Sequence, residues 1–265
     1  MLIVAERINA SRKPVRAALE RLDTAAIQAE AKAQAAAGAH YIDVNGGTFP
    51  GREPELLGWL VETVQAVTDL PLCIDSPDPL ALAAALPKVK GERPMINSIS
   101  LEGERFDQVL PLALHYGARL IALCQGETVP ASTVGQKVDL ATQLVGRLTR
   151  AGLPIGDIYV DPLVFPLATE SGSANATLDA IGEIMQRFPG VHTICGLSNV
   201  SHGLPVRKLI NRTFLVAAIG RGMDSAIIDP TDMQLMQALF AAEAVFGSDE
   251  YCMNYIGAYQ DGRLA

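Results

Sequence analysis

Eight short runs of apolar, β-favouring residues recur along the chain: Leu2–Ala5, His40–Val44, Leu72–Ile74, Met95–Ile96, Arg119–Leu123, Ile158–Val160, Thr193–Cys195 and Ala226–Ile228. Their apolar character is continuous rather than alternating, as in strands covered on both faces. Between them lie stretches of helical spacing, such as Leu56, Leu57, Leu60, Val61, Val64 and Val67. Gly38 closes an alanine-rich run from Ala25 to Ala37, and Gly117 and Gly152 follow two later amphipathic segments, as glycine does at helix C-termini. Pro54 and Pro79 stand near helix starts, where the missing N–H is tolerated. Strand followed by helix, repeated about eight times, predicts an α/β fold, a single (β/α)8 TIM barrel forming one domain over residues 1–265. A doubly wound open sheet would want a glycine-rich turn after the first strand, and ERINASRKP is not one.

Composition narrows the function classes. The 265 residues are 49% hydrophobic and 19% charged, enough for one large core, and the net charge of −8 lacks the basic field of a nucleic-acid binder. No run of about 18 apolar residues is present, so no membrane span is expected. The start, MLIVAERIN, carries no basic leader or cleavage site, which points to a cytoplasmic protein. Cys73, Cys124, Cys195 and Cys252 form no CxxC pair, so they are expected to be mostly buried, unpaired residues in a reducing compartment. The stretch from about Gly247 is expected either to close the barrel or to join a dimer contact.

In a barrel of this kind the C-terminal strand ends face the active site. Taken in order, those ends read Glu6-Arg7-Ile8-Asn9, Asp43-Val44-Asn45, Asp75-Ser76, Asn97-Ser98, Gln125, Asp161-Pro162, Gly196-Leu197-Ser198-Asn199 and Asp229-Pro230. Carboxylates and carboxamides dominate, and no Ser-His-Asp set is offered. Such a ring supplies donors and acceptors that match a flat heterocycle with adjacent N–H, NH2 and carbonyl groups, as in a pterin. The alternative for any single Asp or Asn is a helix cap. Magnesium or calcium would also accept such oxygens, whereas His40, His115, His192 and His202 lack zinc-ligand spacing, so no metal ligand is assigned. Arg7, Arg207, Lys208 and Arg212 lie near the mouth, where they could meet a substrate carboxylate or a partner.

These residues carry a resemblance. ERIN, LCIDSPDP, MINSIS, IYVDPLVFP and above all GLSNVSHGLPVRKLINRTFL resemble, in order and across the whole chain, the methyltetrahydrofolate:corrinoid protein methyltransferases. The folate module of cobalamin-dependent methionine synthase is similar to the same pterin-binding superfamily. The resemblance implies an α/β barrel, commonly a homodimer, that moves a methyl group between N5 of (methyl)tetrahydrofolate and the cobalt of a corrinoid (cobalamin) carried by a partner protein. It implies that Asp75, Asn97 and Asp161 hold the pterin ring and that Asn199 hydrogen-bonds near N5 as the catalytic group. By the same likeness Gly196 and Ser198 shape the pocket floor, while His202 and Arg207 border the folate or corrinoid approach. His202 departs from the family, where a carboxamide holds that place, and Ala5 stands where a glycine is common.

Two other readings are weighed. IDVNGGTFPG resembles the second-strand loop of dihydropteroate synthase, yet PLVFP lacks that enzyme's lysine-bearing loop and GLSNVS is not its Ser-Arg-Lys signature. A non-catalytic folate-binding barrel would retain the same pocket without turnover.

Overall fold

The apolar runs become eight parallel strands: β1 (Leu2–Asn9), β2 (Tyr41–Asn45), β3 (Leu72–Asp75), β4 (Met95–Ile99), β5 (Arg119–Leu123), β6 (Ile158–Asp161), β7 (His192–Thr193) and β8 (Ser225–Ile228). In the computed structural model, which describes all residues except 48, 50, 128, 129 and 265, β1 to β7 pair in sequence order and β1 also pairs with β8. Thr48 and Pro50 of the IDVNGGTFPG segment therefore lie outside the described residues. The ring closes between β7 and β8 by a thin seam, the Gly196–Ile227 bridge and the Ile227 N–H to Cys195 carbonyl bond of 2.9 Å. The (β/α)8 barrel expected from the periodicity is present.

Around the strands run α1 (Lys13–Arg21), α2 (Thr24–Ala36), α3 (Glu53–Gln65), α4 (Pro79–Ala85), α5 (Arg105–His115), α6 (Val134–Arg150), α7 (Ser173–Arg187), α8 (Arg207–Ile219), α9 (Met233–Val245) and α10 (Met253–Gln260). Helix α3 buries the predicted Leu56, Leu57, Leu60, Val61 and Val64 stripe. Gly38, Gly117 and Gly152 all take positive φ beyond helix ends, the conformation that favours glycine there. Among the described residues no helix is long and apolar enough to cross a membrane.

Strand alternation divides the core into layers. One residue at each strand position, Val4, Tyr41, Cys73, Met95, Ile121, Tyr159, Ile194 and Ile227, packs inside the barrel. The intervening residues, such as Ala5, Ile42, Ile74, Ile96, Leu120 and Val160, join the larger layer between strands and helices. Two expectations shift here. Strand β1 runs on to Asn9 with a register irregularity between Ala5 and Ile8, so ERIN belongs to the strand rather than to its loop. Regular strand β7 is only His192–Thr193, and Ile194 to Gly196 carry its line onward through the Ile194 N–H to Val160 carbonyl bond of 2.9 Å and the seam with Ile227.

The floor of the barrel is polar and aromatic. His192 stacks on Tyr159, with ring centroids 4.7 Å apart, and its Nδ1 lies 2.6 Å from Asp224 Oδ2. Asp224 Oδ1 also accepts the Thr193 N–H at 3.2 Å, so this one carboxylate ties β7 to the start of β8 where the ladder is thinnest. The hydrogen bond to Asp224 raises the His192 pKa above its ordinary value, against the opposing effect of burial. A group raised in this way stabilises the fold fully below its unfolded pKa and loses that contribution as pH rises through the folded one. Asp224→Asn should therefore lower the melting temperature by roughly 1–3 °C at pH 5.5 and by less at pH 9. Thermal denaturation across that range checks it, and a pH-independent difference would contradict the pairing.

Candidate active site

Two residues beyond each member of the interior ring, a strand must again point inward. Those positions are Glu6, Asp43, Asp75, Asn97, Leu123, Asp161, Gly196 and Asp229. Leu123 and Gly196 apart, all of them are polar, so the barrel changes from an apolar plug to a polar mouth within one step along most strands. The predicted Asp75, Asn97, Asp161 and Gly196 are thereby brought together on the inner wall.

Each carboxylate is set by its own partners. Asp75 Oδ2 accepts from Asn45 Nδ2 at 2.8 Å. Asp161 Oδ1 accepts the Leu163 N–H at 2.7 Å and lies 3.7 Å from Cys195 Sγ, and the Gly196 N–H also bonds to this carboxylate. Burial pushes Asp161 up to about 6, opposed by the Leu163 N–H and the Lys137 charge. Burial likewise raises Asp75, opposed by the Asn45 hydrogen bond and the Arg105 guanidinium. Neither Asp75 nor Asp161 acts as a helix cap; Asp78 caps α4, and Asp232 rather than Asp229 caps α9.

The seventh strand end folds into a short 3-10 turn, Leu197–Asn199, that carries the predicted pocket floor. Gly196 has open space where a Cβ would stand, so any side chain there would project into the mouth. Ser198 Oγ donates to Glu6 Oε1 at 2.6 Å. Asn199 is exposed, and its side-chain amide makes no hydrogen bond among the described residues. The Asn199 carbonyl accepts the His202 N–H at 3.0 Å, leaving the exposed His202 ring on the overhanging loop.

The four basic residues near the mouth prove to be engaged. Arg7 pairs with Glu30 at 2.6 Å and with Asp229 at 3.0 Å. Arg207 donates to the Ser198 carbonyl at 2.6 Å and to Ser201 Oγ at 3.1 Å, so it braces the Gly196–Ser201 loop from behind. Lys208 pairs with Asp232 at 3.2 Å, and Arg212 Nε bonds to the Lys208 carbonyl at 3.1 Å. His40 and His192 have structural partners, the Ile3 N–H and Asp224.

Two further acids belong to the mouth. Asp43 is 2% exposed, and its Oδ1 is buried with no partner among the described residues. Burial and the neighbouring Asp75 raise its pKa, while hydrogen bonds to Cys73 and Asn97 oppose the shift. Burial also raises Glu6, against the Ser198 hydrogen bond. The signal for Asp43 was present in the sequence, as a carboxylate at an inward position of the otherwise compact strand YIDVN. Glu6 was harder to place, because the register of β1 shifts between Ala5 and Ile8. Among the described residues, no group of three or more His, Cys, Asp or Glu is arranged to hold a metal ion.

Comparison with known proteins shows the family of the chain. The pterin binding enzyme family matches residues 5–229. A methylcorrinoid:tetrahydrofolate methyltransferase from Eubacterium limosum is 40% identical over 270 residues, spanning 100% of this chain and 98% of that protein. Methionine synthase from Mycobacterium leprae is 33% identical over 241 residues, which cover 86% of this chain and 20% of that longer protein. A dihydropteroate synthase of Yersinia pestis in complex with a sulfonamide drug superposes with a TM-score of 0.71 at 16% identity, covering 93% of this chain and 94% of that one. That likeness speaks to the fold alone. The chain belongs to the pterin-binding enzyme family and is a full-length relative of a methylcorrinoid:tetrahydrofolate methyltransferase.

Proposed function

We propose that this chain, acting as one pterin-binding domain, is a methyltransferase that moves a methyl group between N5 of tetrahydrofolate and a corrinoid carried by a separate protein. The observation that carries the reading is a pair of carboxylates, the buried Asp161 and the partly buried Asp75, facing one mouth with Asn97 and with the unengaged amide of Asn199. The whole-length similarity to the Eubacterium limosum enzyme supports the same chemistry.

The donor set fits a pterin. An ionised carboxylate accepts from a ring N–H and the adjacent amino group together, and a carboxamide answers both a donor and a carbonyl. Asp75, Asn97 and Asp161 hold the ring, and the open space above Gly196 leaves room for it beside Ser198. The corrinoid supplies the cobalt with which the methyl group is exchanged. The protein's own tasks are to orient the ring and to favour the charge that develops on N5 as the carbon–nitrogen bond breaks or forms. Asn199 suits the second task, because an amide donates a hydrogen bond without being a strong acid. His202 and Arg207 border the approach, Arg207 by holding the loop that carries Asn199.

We further assign the protein to the cytoplasm, in keeping with its four free cysteines. A homodimer is the second part of this reading. The C-terminal segment exposes Phe246, Tyr251, Met253, Ile256 and Tyr259. Tyr251 and Cys252 adopt left-handed backbone, with φ of 54° and 56°, a conformation that costs each of them energy. That surface supports a contact with a second copy.

Mixing the protein with methylcobalamin and tetrahydrofolate should change the cobalt absorbance as methyl transfer proceeds; tight folate binding without that change would favour a non-catalytic barrel, and condensation of a pterin pyrophosphate with p-aminobenzoate would favour a synthase. Asn199→Ala should lower kcat on the order of a hundredfold while folate affinity changes far less; equal losses would remove Asn199 from the reaction. Asp75→Ala should weaken folate binding roughly ten- to a hundredfold by calorimetry, and unchanged affinity would exclude it from the ring site. Because Asp161 must be ionised to accept, affinity should fall as pH drops through about 6. In sedimentation the protein should run at twice its 28.1 kDa chain mass, and Tyr251→Asp with Tyr259→Asp should return it to one.

A further inference from the structure

Lys137 is the largest side chain excluded completely from solvent among the described residues. It projects from the start of α6, and its partners are backbone carbonyls rather than a carboxylate. Nζ donates to the Pro162 carbonyl at 2.8 Å and to the Leu163 carbonyl at 2.6 Å, with the Phe165 ring centroid 5.1 Å away. An ammonium is expensive to bury, and an apolar side chain of the same length would join α6 to the barrel without that cost. The charge and the donors therefore have a separate use.

That use lies in the turn after β6. Leu163 has φ of 56°, a left-handed conformation that leucine rarely adopts. Held in this conformation, its N–H reaches back 2.7 Å to Asp161 Oδ1. At the far end, the Phe165 N–H bonds to the buried Ser173 Oγ at 2.7 Å, which fixes the turn to the start of α7. Lys137 holds the middle of that span, immediately behind the last residue of β6.

We propose that Lys137 is a positioning residue for the pterin site, whose grip on the Pro162 and Leu163 carbonyls fixes the turn that aims the Asp161 carboxylate into the mouth and whose charge keeps that carboxylate an acceptor. This role rests on the reading that Asp161 holds the pterin ring. The electrostatics agree with the geometry: burial raises Asp161, and the Lys137 charge opposes that rise. Burial in turn lowers Lys137, which still has the two carbonyls to favour its charged form.

Lys137→Met keeps the stem and deletes the charge and donors. In the folate-free protein, the Asp161 carboxyl carbon followed by NMR should titrate about one pH unit higher in this variant. With Asp161 moved from about 6 to about 7, affinity for methyltetrahydrofolate should fall about twofold at pH 7 and on the order of tenfold at pH 5, and recover by pH 8.5. An unshifted Asp161 titration overturns the proposal, whether affinity is unchanged or lost equally at every pH, since an equal loss marks only structural support. If Lys137→Met does not fold, Lys137→Gln supplies the same readings, and failure of both to fold makes the lysine a purely structural post and also overturns it. Wild-type folate affinity in Asp161→Asn would instead sink the assignment of Asp161 to the ring, leaving the NMR titration to judge Lys137 by itself.

Discussion

In a parallel barrel the inward residues of each strand follow one another at intervals of two, so a polar residue placed two beyond an apolar one cannot turn away from the interior. Here that constraint acts at almost every strand. Above the ring of Val4, Cys73, Met95, Ile121 and their neighbours stand Glu6, Asp43, Asp75, Asn97, Asp161 and Asp229. The acids crowd one another at the end of an apolar plug, and burial raises the pKa of Glu6, Asp43, Asp75 and Asp161. Such a ring costs stability, as buried carboxylates do without close cations. It also leaves acceptors facing the mouth for a ligand that brings N–H donors, which is the property the proposed pterin role uses.

Apart from Arg7, which pairs with Asp229, the cations of the region stand behind the ring rather than inside it. Arg105 donates to the Ser76 and Ser98 carbonyls, Lys137 to those of Pro162 and Leu163, and Arg207 to that of Ser198. Each holds backbone at or just past a strand end, and each does so from the helix layer. The arrangement separates two jobs that one residue type could otherwise confuse. Positive charge shapes the loops and tempers the carboxylates from a distance, while the acids and amides remain available at the inner surface. Around Asn199, Arg207 holds the Ser198 carbonyl and the His202 N–H holds that of Asn199, while the side-chain amide stays unengaged among the described residues.

The barrel and its polar mouth were legible in the sequence because both depend on local rules. Continuous apolar runs announce strands covered on two faces, glycines announce helix ends, and the residues terminating each run announce the chemistry of the mouth. Asp75, Asn97, Asp161 and Gly196 could be placed on one inner wall from order and spacing alone. Asp43 carried the same signal, since it falls two residues after Tyr41 in a short strand, but its burial and unpartnered oxygen belong to the packed barrel.

Tertiary structure decided what depends on residues far apart in sequence. The contact of Glu6 with Ser198 depends on a loop nearly the whole chain away. Whether Arg7 and Arg207 were free or engaged depended on Glu30, Asp229, Ser198 and Ser201 arriving beside them. Lys137 shows the difference most clearly: in sequence it is one lysine on an amphipathic helix, and nothing in that period reveals that its ammonium ends against two carbonyls of β6's exit. The sequence by itself determined which side chains the mouth would hold, because strand period is a property of the backbone. Only the closed barrel decided which of them were held by partners, since those partners meet only when the barrel is formed.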